Sequence, residues 1–255
     1  EPKVNGKRVN MFEPLLLAPG DTLEIGMLVS GLRGYLAVFG GFDIHPVLGS
    51  RSTDLKCHIG GLSGRALKAG DVLPVLRAFE LPQERFRPLQ KRVRAAALED
   101  WALTTLTPHG FIGAQKFPLL RVVLGPQDEM FTEKGLFDFK SALYTVTQDS
   151  NRMAAKLSGA PIEAKAGVDI LSDGIVEGSV QISANGQPIV MLTDHQSTGG
   201  YAKIATVIPC DIPTLAQVRP GQLVGFRVVS VEEGAEACRK EKEKWTYLKE
   251  AIDHD

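Results

Sequence analysis

Cysteine is scarce in this chain: Cys57, Cys210 and Cys238 are widely spaced and odd in number. That pattern argues against a disulfide framework and fits a reducing compartment. Cys57 is followed by His58, but adjacent side chains on an extended segment point to opposite faces and cannot grip one ion together. No Cys-x₂-Cys or His-x₃-His spacing occurs elsewhere, so no metal site is expected. Net charge is also nearly absent, −1 from 29 basic and 30 acidic side chains. Such a balance gives no global attraction for nucleic acid or an anionic membrane surface. No apolar run approaches the roughly 18 residues of a spanning helix, and no basic stretch leading into an apolar one opens the chain. The expected location is cytoplasmic, with neither a nucleic-acid nor a membrane partner. Equally missing are a Gly-x₄-Gly-Lys-Ser/Thr phosphate loop, a Gly-x-Gly-x-x-Gly fingerprint, a Gly-x-Ser-x-Gly elbow and a His-Glu-x-x-His helix.

What is present reads as a β-rich globular protein. Hydrophobic content of 44% with 23% charged residues is enough for a real core, and 255 residues accommodate one large or two modest domains. Three segments repeat one pattern: Leu17 to Leu23 around Pro19-Gly20, Leu67 to Leu73 around Ala69-Gly70, and Val218 to Val224 around Pro220-Gly221. Each suits a type II turn, with Gly supplying the positive φ, that delivers a strand. Further strand candidates are Tyr35 to Phe39, Arg121 to Leu124, Tyr144 to Thr147, Val180 to Ser183, Ile189 to Leu192, Ile204 to Ile208 and Val224 to Val229. Gly and Pro, 26 and 15 residues, punctuate these at short intervals and favour a barrel or sandwich over a βαβ sheet.

Helical pattern is confined to Leu89 to Leu103, Glu133 to Ala142 and Val231 to Ile252. The last is preceded by Ser230, with Glu233 placed to complete a capping box. The expected organisation is a first β domain over 1–80, a linker with a helix over 81–116, a second β domain over 117–230 and a C-terminal helix over 231–255. The linker's basic cluster Arg85, Arg87, Lys91, Arg92 and Arg94 reads either as a solvated helix face or as an anion-binding patch.

Polar clusters at strand ends carry the candidate chemistry. The densest is Asp194-His-Gln-Ser-Thr-Gly-Gly-Tyr-Ala-Lys203, read as a loop between two apolar runs. There Asp194 can act as base or orienting carboxylate, His195 as acid or base near neutral pH, and Lys203 as an electrostatic clamp. The Gly199-Gly200 amides are candidate oxyanion donors. Arg51, Ser52 and Thr53 can hold a carboxylate or phosphate, as can Arg152 in Ser150-Asn-Arg-Met153, although a polar turn or an ion pair explains each as well. Gln181, Gln196, Thr198 and Tyr201 complete the candidate substrate-binding set.

At these residues the chain resembles a known family: the C component of 5-oxoprolinase, also called KipA or allophanate hydrolase subunit 2, described as biotin-dependent carboxyltransferase-like. The matching runs are Gly34 to Asp43, Pro46 to Thr53, Gly60 to Asp71, Gly125-Pro-Gln127, Ser150 to Met153, Gly186-Gln-Pro188, Asp194 to Tyr201 and Lys203 to Ala205, with Ala202 departing from the family's usual Pro. They cover nearly the whole chain in the family's order. The resemblance implies a mostly β fold of two cyclophilin-like β-barrel domains, the first lacking the family's N-terminal segment, with a few short helices and a C-terminal helix. It implies one component of a multi-subunit, ATP-dependent 5-oxoprolinase that opens the lactam of 5-oxo-L-proline to L-glutamate. Its partners would be a KipI-type protein, the B component, and a LamB/YcsF-type protein, the A component, with ATP possible on a partner. Two other functions fit the resemblance. One is a carboxyltransferase moving a carboxyl group from carboxybiotin to urea or a related amide. The other is a non-catalytic KipA-like protein that antagonises a KipI-type inhibitor of a sensor kinase.

Overall fold

A computed structural model of the chain describes residues 2–76, 87, 88, 90, 91 and 117–253. The chain divides into two compact units, Glu1–Arg33 with Leu89–Asp255, and Gly34–Pro88. Most of the expected helix over 89–103 and of the 81–116 linker falls outside the described residues.

The first unit opens with three short antiparallel strands, β1 (Lys3–Val4), β2 (Lys7–Arg8) and, from Leu23, β3 (Leu23–Glu24). Its main body is a barrel. The strands are β6 (Leu119–Leu124), β7 (Tyr144–Val146), β8 (Ala154–Ser158), β10 (Ser179–Ile182), β11 (Pro188–Met191), β13 (Lys203–Val207) and β14 (Leu223–Val228). They close in the order β10-β11-β8-β7-β14-β6-β13, and only the β14–β6 pair of this barrel is parallel. The mostly β expectation therefore holds.

Closure follows from the side-chain pattern. On β6 Leu120 and Val122 are buried between exposed or half-buried Leu119, Arg121 and Val123; on β8 Ala155 and Leu157 are buried between exposed or half-buried neighbours. A period of two puts one face of each strand inside, and closing the sheet removes the edges that would otherwise pair with other chains. Helix α1 (Glu133–Ser141) places fully buried Phe139 on Phe226 of β14, ring centroids 4.5 Å apart, with Tyr144 at 5.8 Å from the same ring. Thr132 caps this helix, its Oγ1 accepting from the Gly135 N–H at 2.9 Å. Helix α2 (Ile212–Ala216) follows β13, and helix α3 (Val231–Asp253) ends the described chain. The capping box read from Ser230 and Glu233 is formed: the Ser230 N–H donates to Glu233 Oε2 at 2.8 Å, and the Glu233 N–H to Ser230 Oγ at 3.1 Å.

The three repeated turns are built alike. Gly20, Gly70 and Gly221 sit at φ +90°, +87° and +88°, and in each the amide after the glycine donates to the carbonyl three residues back. The residue after each glycine also closes the turn with its side chain. Asp21, Asp71 and Gln222 accept from the backbone N–H of Ala18, Lys68 and Arg219 at 2.7, 2.7 and 2.8 Å. An added Cβ at any of the three glycines would meet open space, so it is the left-handed backbone that demands glycine. Past the third turn's start, Arg219 donates to the carbonyls of Gly31 and Leu28, and Gln217 accepts from the N–H groups of Leu32 and Arg33, which ties 28–33 to the barrel's unit.

Among its described residues the Gly34–Pro88 unit contains one antiparallel strand pair, β4 (Thr53–Asp54) with β5 (Ile59–Gly60). Tyr35 to Phe39, expected as a strand, does not form one. It leads into a turn closed by the Gly41 N–H on the Val38 carbonyl at 2.9 Å, and Tyr35, Leu36 and Phe39 are exposed. Conversely, β8, the strand β9 (Asp169–Gly174) and the strand β12 (Thr198–Tyr201) gave no strand signal. Their Ala, Ser, Asp and Gly residues have poor β propensity, and it is the neighbouring strands that hold them extended.

Candidate functional site

The stretch expected as a loop is an antiparallel ribbon. β12 pairs with β9 through Thr198↔Gly174, Gly199↔Asp173 and Tyr201↔Asp169, and the register shifts between Gly199 and Tyr201 so that Gly200 has no direct cross-strand partner. Gly199 and Gly200 do not adopt positive φ. Gly199 is small for another reason: a Cβ there would lie 2.5 Å from Ile175 Cδ1 and 2.7 Å from Gln181 Nε2. Its absence lets the ribbon lie against the barrel wall.

On that wall Lys203 begins β13 and is 5% exposed. Its Nζ donates to Asp173 Oδ2 at 2.5 Å and to the Gly174 carbonyl at 3.1 Å, both on the ribbon. A buried ammonium needs such partners, since its desolvation would otherwise be uncompensated. The Gly125-Pro126-Gln127 turn fixes the lysine's backbone. Gln127 Oε1 accepts from the Lys203 N–H at 3.1 Å, and the Gly125 N–H donates to the Ile204 carbonyl at 2.8 Å. A Cβ at Gly125 would sit 2.3 Å from the Lys203 carbonyl oxygen, so only glycine permits this approach. Gln181, 2% exposed and opposite Lys203 in the β10–β13 ladder, donates from Nε2 to the Tyr201 carbonyl at 3.2 Å and so pins the ribbon's end.

Asp173 is 54% exposed at its side chain, so this pair has a hidden cation and an open anion. The Lys203 ammonium, then the Gly174 N–H at 2.7 Å, hold the Asp173 carboxyl below its usual range, with Gln127 adding to the effect.

Asp194 and Arg152 form a second pair, Nε to Oδ2 at 2.9 Å and Nη2 to Oδ1 at 3.1 Å, with both side chains exposed. The fork arises because Asn151 Oδ1 accepts from the Met153 and Ala154 N–H groups at 2.8 and 3.3 Å, a local turn that presents Arg152 outward. The Asp194 N–H donates to the Arg152 carbonyl at 3.0 Å. His195 lies half-buried beside it, Nδ1 2.6 Å from the Gln196 carbonyl oxygen. That contact requires Nδ1 to carry a proton, which leaves Nε2 of the neutral ring as an acceptor. Gln196 and Thr198 are exposed and Tyr201 is half-buried.

The structure thus brings together Lys203, Gln181, Gly199 and Tyr201 in one cluster, and Arg152, Asp194, His195 and Gln196 in a second cluster. Lys203 pairs with Asp173 and not with Asp194. Arg51, Ser52 and Thr53 belong to the Gly34–Pro88 unit. There Val47 and Ser50 exchange both backbone hydrogen bonds, with Leu48 and Gly49 at φ +51° and +79°, a hairpin turn that leaves Arg51 and Ser52 exposed. Gly60 and Gly61, also at positive φ, lie where an added Cβ would run into the Ser52 carbonyl and Thr53 Oγ1. Two residues were absent from the expected set, Asp173 and Gln127. Neither Asp173 nor Gln127 carries a local signal of a lysine 30 and 76 positions away.

The carboxyltransferase domain, subdomain A and B, family model matches residues 1–228. The chain is 33% identical to the 5-oxoprolinase C component of Haemophilus influenzae over 237 residues, 92% of this chain and 68% of that protein. It is 35% identical to the 5-oxoprolinase C component of Escherichia coli over 231 residues, 91% of this chain and 67% of that protein. The fold is shared with Kluyveromyces lactis urea carboxylase, TM-score 0.81 at 24% identity, where the whole of this chain superposes on 23% of the larger one. Among the described residues no helix is long and apolar enough to cross a membrane, and no group of three or more His, Cys, Asp or Glu side chains is placed to hold a metal. With a family match over this length, the chain belongs to the carboxyltransferase domain, subdomain A and B, family.

Proposed function

We propose that this chain is the C component of a cytoplasmic, ATP-dependent 5-oxoprolinase that opens the lactam of 5-oxo-L-proline to L-glutamate, working with a KipI-type protein and a LamB/YcsF-type protein. The identity to the 5-oxoprolinase C components of two bacteria supports the reaction class. The observation that carries the site is the ion pair of buried Lys203 with open Asp173.

Opening a lactam places negative charge on the carbonyl oxygen. A cation already desolvated and already oriented stabilises that charge with little reorganisation. Lys203 meets both conditions, held by Gln127 at its backbone and by the Gly174 carbonyl at its Nζ. Asp173, kept below the usual carboxylate range, is a weak base; its role is to aim the ammonium until the substrate oxygen shares it. His195 Nε2, freed by the Nδ1 contact, is the acceptor for the proton of the attacking water. Arg152 spends Nε and Nη2 on Asp194, leaving Nη1 to take the substrate carboxylate. ATP is assigned to a partner protein of the complex.

The test is 5-oxoproline turnover by the assembled three-component complex, with wild type set against Lys203→Ala and Asp194→Ala. Strong loss in the lysine variant with assembly of the complex intact is expected. Full turnover by both variants in intact complexes would overturn the assignment, and biotin-dependent carboxylation of urea by the same preparation would replace it with the carboxyltransferase reading.

A further inference from the structure

We infer that Cys210 and Cys238 form a redox-sensitive thiol pair, which a low-molecular-weight disulfide converts into an intramolecular disulfide fastening helix α3 to the barrel. The two sulfurs lie 3.4 Å apart across 28 residues of sequence, and both cysteines are free and partly exposed. Cys210 sits in the 3₁₀ turn Pro209–Asp211 directly after β13, and Cys238 in the second turn of α3.

The juxtaposition is built by the helix. Gly234 faces Ile208, where an added Cβ would come within 3.0 Å of Ile208 Cγ2, so its lack of a side chain lets α3 approach the 208–210 segment. Residues four apart share a helix face, so Cys238 is carried over Cys210 as Gly234 is carried over Ile208. Below the pair, Asp211 is buried and fixed by Arg121, whose Nε donates to Oδ2 at 3.0 Å and Nη2 to Oδ1 at 2.5 Å; the same Nη2 lies 3.4 Å from Cys210 Sγ. Closing the sulfurs to the roughly 2.05 Å of a disulfide is within reach of side-chain rotation.

The step balances as thiol–disulfide exchange. The Cys238 thiolate attacks one sulfur of the oxidant, forming a mixed disulfide and releasing one small thiolate. Cys210 then attacks the Cys238 sulfur, the second small thiolate leaves, and the two protein thiol protons pass to the departing thiolates. Burial, followed by the hydrogen bond with Cys238, pushes the Cys210 thiol up to about 12, which assigns the first attack to Cys238. Once Cys238 is capped that hydrogen bond is gone, and the Arg121 guanidinium beside Cys210 draws its thiol down against burial and the Asp211 carboxylate. A partly exposed disulfide of this kind is reducible, and reduction returns α3 to its packing and its capping box alone.

The experiment exposes the full chain to oxidised glutathione and reads peptide masses and amide hydrogen exchange, with exposed Cys57 as the internal reference. The expected result is a Cys210–Cys238 cross-linked peptide lacking two hydrogen atoms, slower exchange across α3, and reversal of both by dithiothreitol. Cys57→Ser should leave this unchanged, and Cys238→Ser should abolish it while Cys210 stays a thiol. Glutathione on Cys57 with Cys210 and Cys238 still reduced would overturn the inference. A stable glutathione adduct on Cys238 without cross-linking would do the same.

Discussion

Two cation–carboxylate pairs stand on the barrel unit, and they are opposites in construction. Lys203 is 5% exposed and reaches its carboxylate from inside the wall, while Arg152 and Asp194 meet in the open, bidentate but 63% and 44% exposed at their side chains. An exposed pair gains little because water screens it and side-chain entropy opposes it. A hidden ammonium is held by geometry that the fold has already set, so it can act on developing charge without first ordering itself. The difference argues for dividing the work, chemistry at Lys203 and substrate capture at Arg152.

The largest effect that would sharpen this division is on catalysis. Lys203→Met keeps the length of the side chain and removes the charge, and kcat of the complex should fall roughly 10²- to 10³-fold, the scale seen when one oxyanion donor is lost. The next attacks the ribbon that brings Asp173 to the lysine. Gly199→Val must displace Ile175 and Gln181, and such overpacking typically costs about 1–3 kcal/mol; thermal unfolding of the chain and a weakened Lys203–Asp173 contact would report it. Smaller still is the loss at the open pair. Arg152→Ala should leave the unfolding midpoint nearly unchanged and raise KM for 5-oxoproline, with the parent's sensitivity of KM to added salt reduced.

The gentlest test uses pH. The Asp173 carboxyl is lowered by Lys203, so the stabilisation is present above the unfolded-state value of 3.8 and is lost only as pH falls through the lower folded-state value. A carboxyl NMR titration should therefore find Asp173 still ionised at acidities where ordinary aspartates are half protonated, and Lys203→Met should move it back up. An Asp173 that titrates normally in the parent chain would break the contrast between the two pairs.

How much of this was legible in the sequence depends on the range of the interaction. Local signals read correctly: three Gly-centred turns, the Ser230–Glu233 box, and β6, β7, β10, β11, β13 and β14 from apolar segments punctuated by Gly and Pro. The run from Asp194 to Lys203 was legible as a dense polar stretch, from its residue types alone. Its shape was not. Thr198-Gly-Gly-Tyr201 has the composition of a loop, and only pairing with Asp169–Gly174 makes it a strand. Asp173 was passed over for the same reason. The contact that defines its role spans 30 residues and exists only after the ribbon has folded onto the wall. Tyr35 to Phe39 failed in the other direction, since a short continuous apolar run announces a buried strand without supplying the strand that would pair with it.

The most direct test compares Lys203→Met with Arg152→Ala in the same assembled complex, measuring kcat and KM for 5-oxoproline. The division of labour predicts that the lysine variant loses kcat with KM little changed, and that the arginine variant keeps most of its kcat while KM rises. Equal losses of kcat in both, or a lysine variant that retains its kcat, would contradict it.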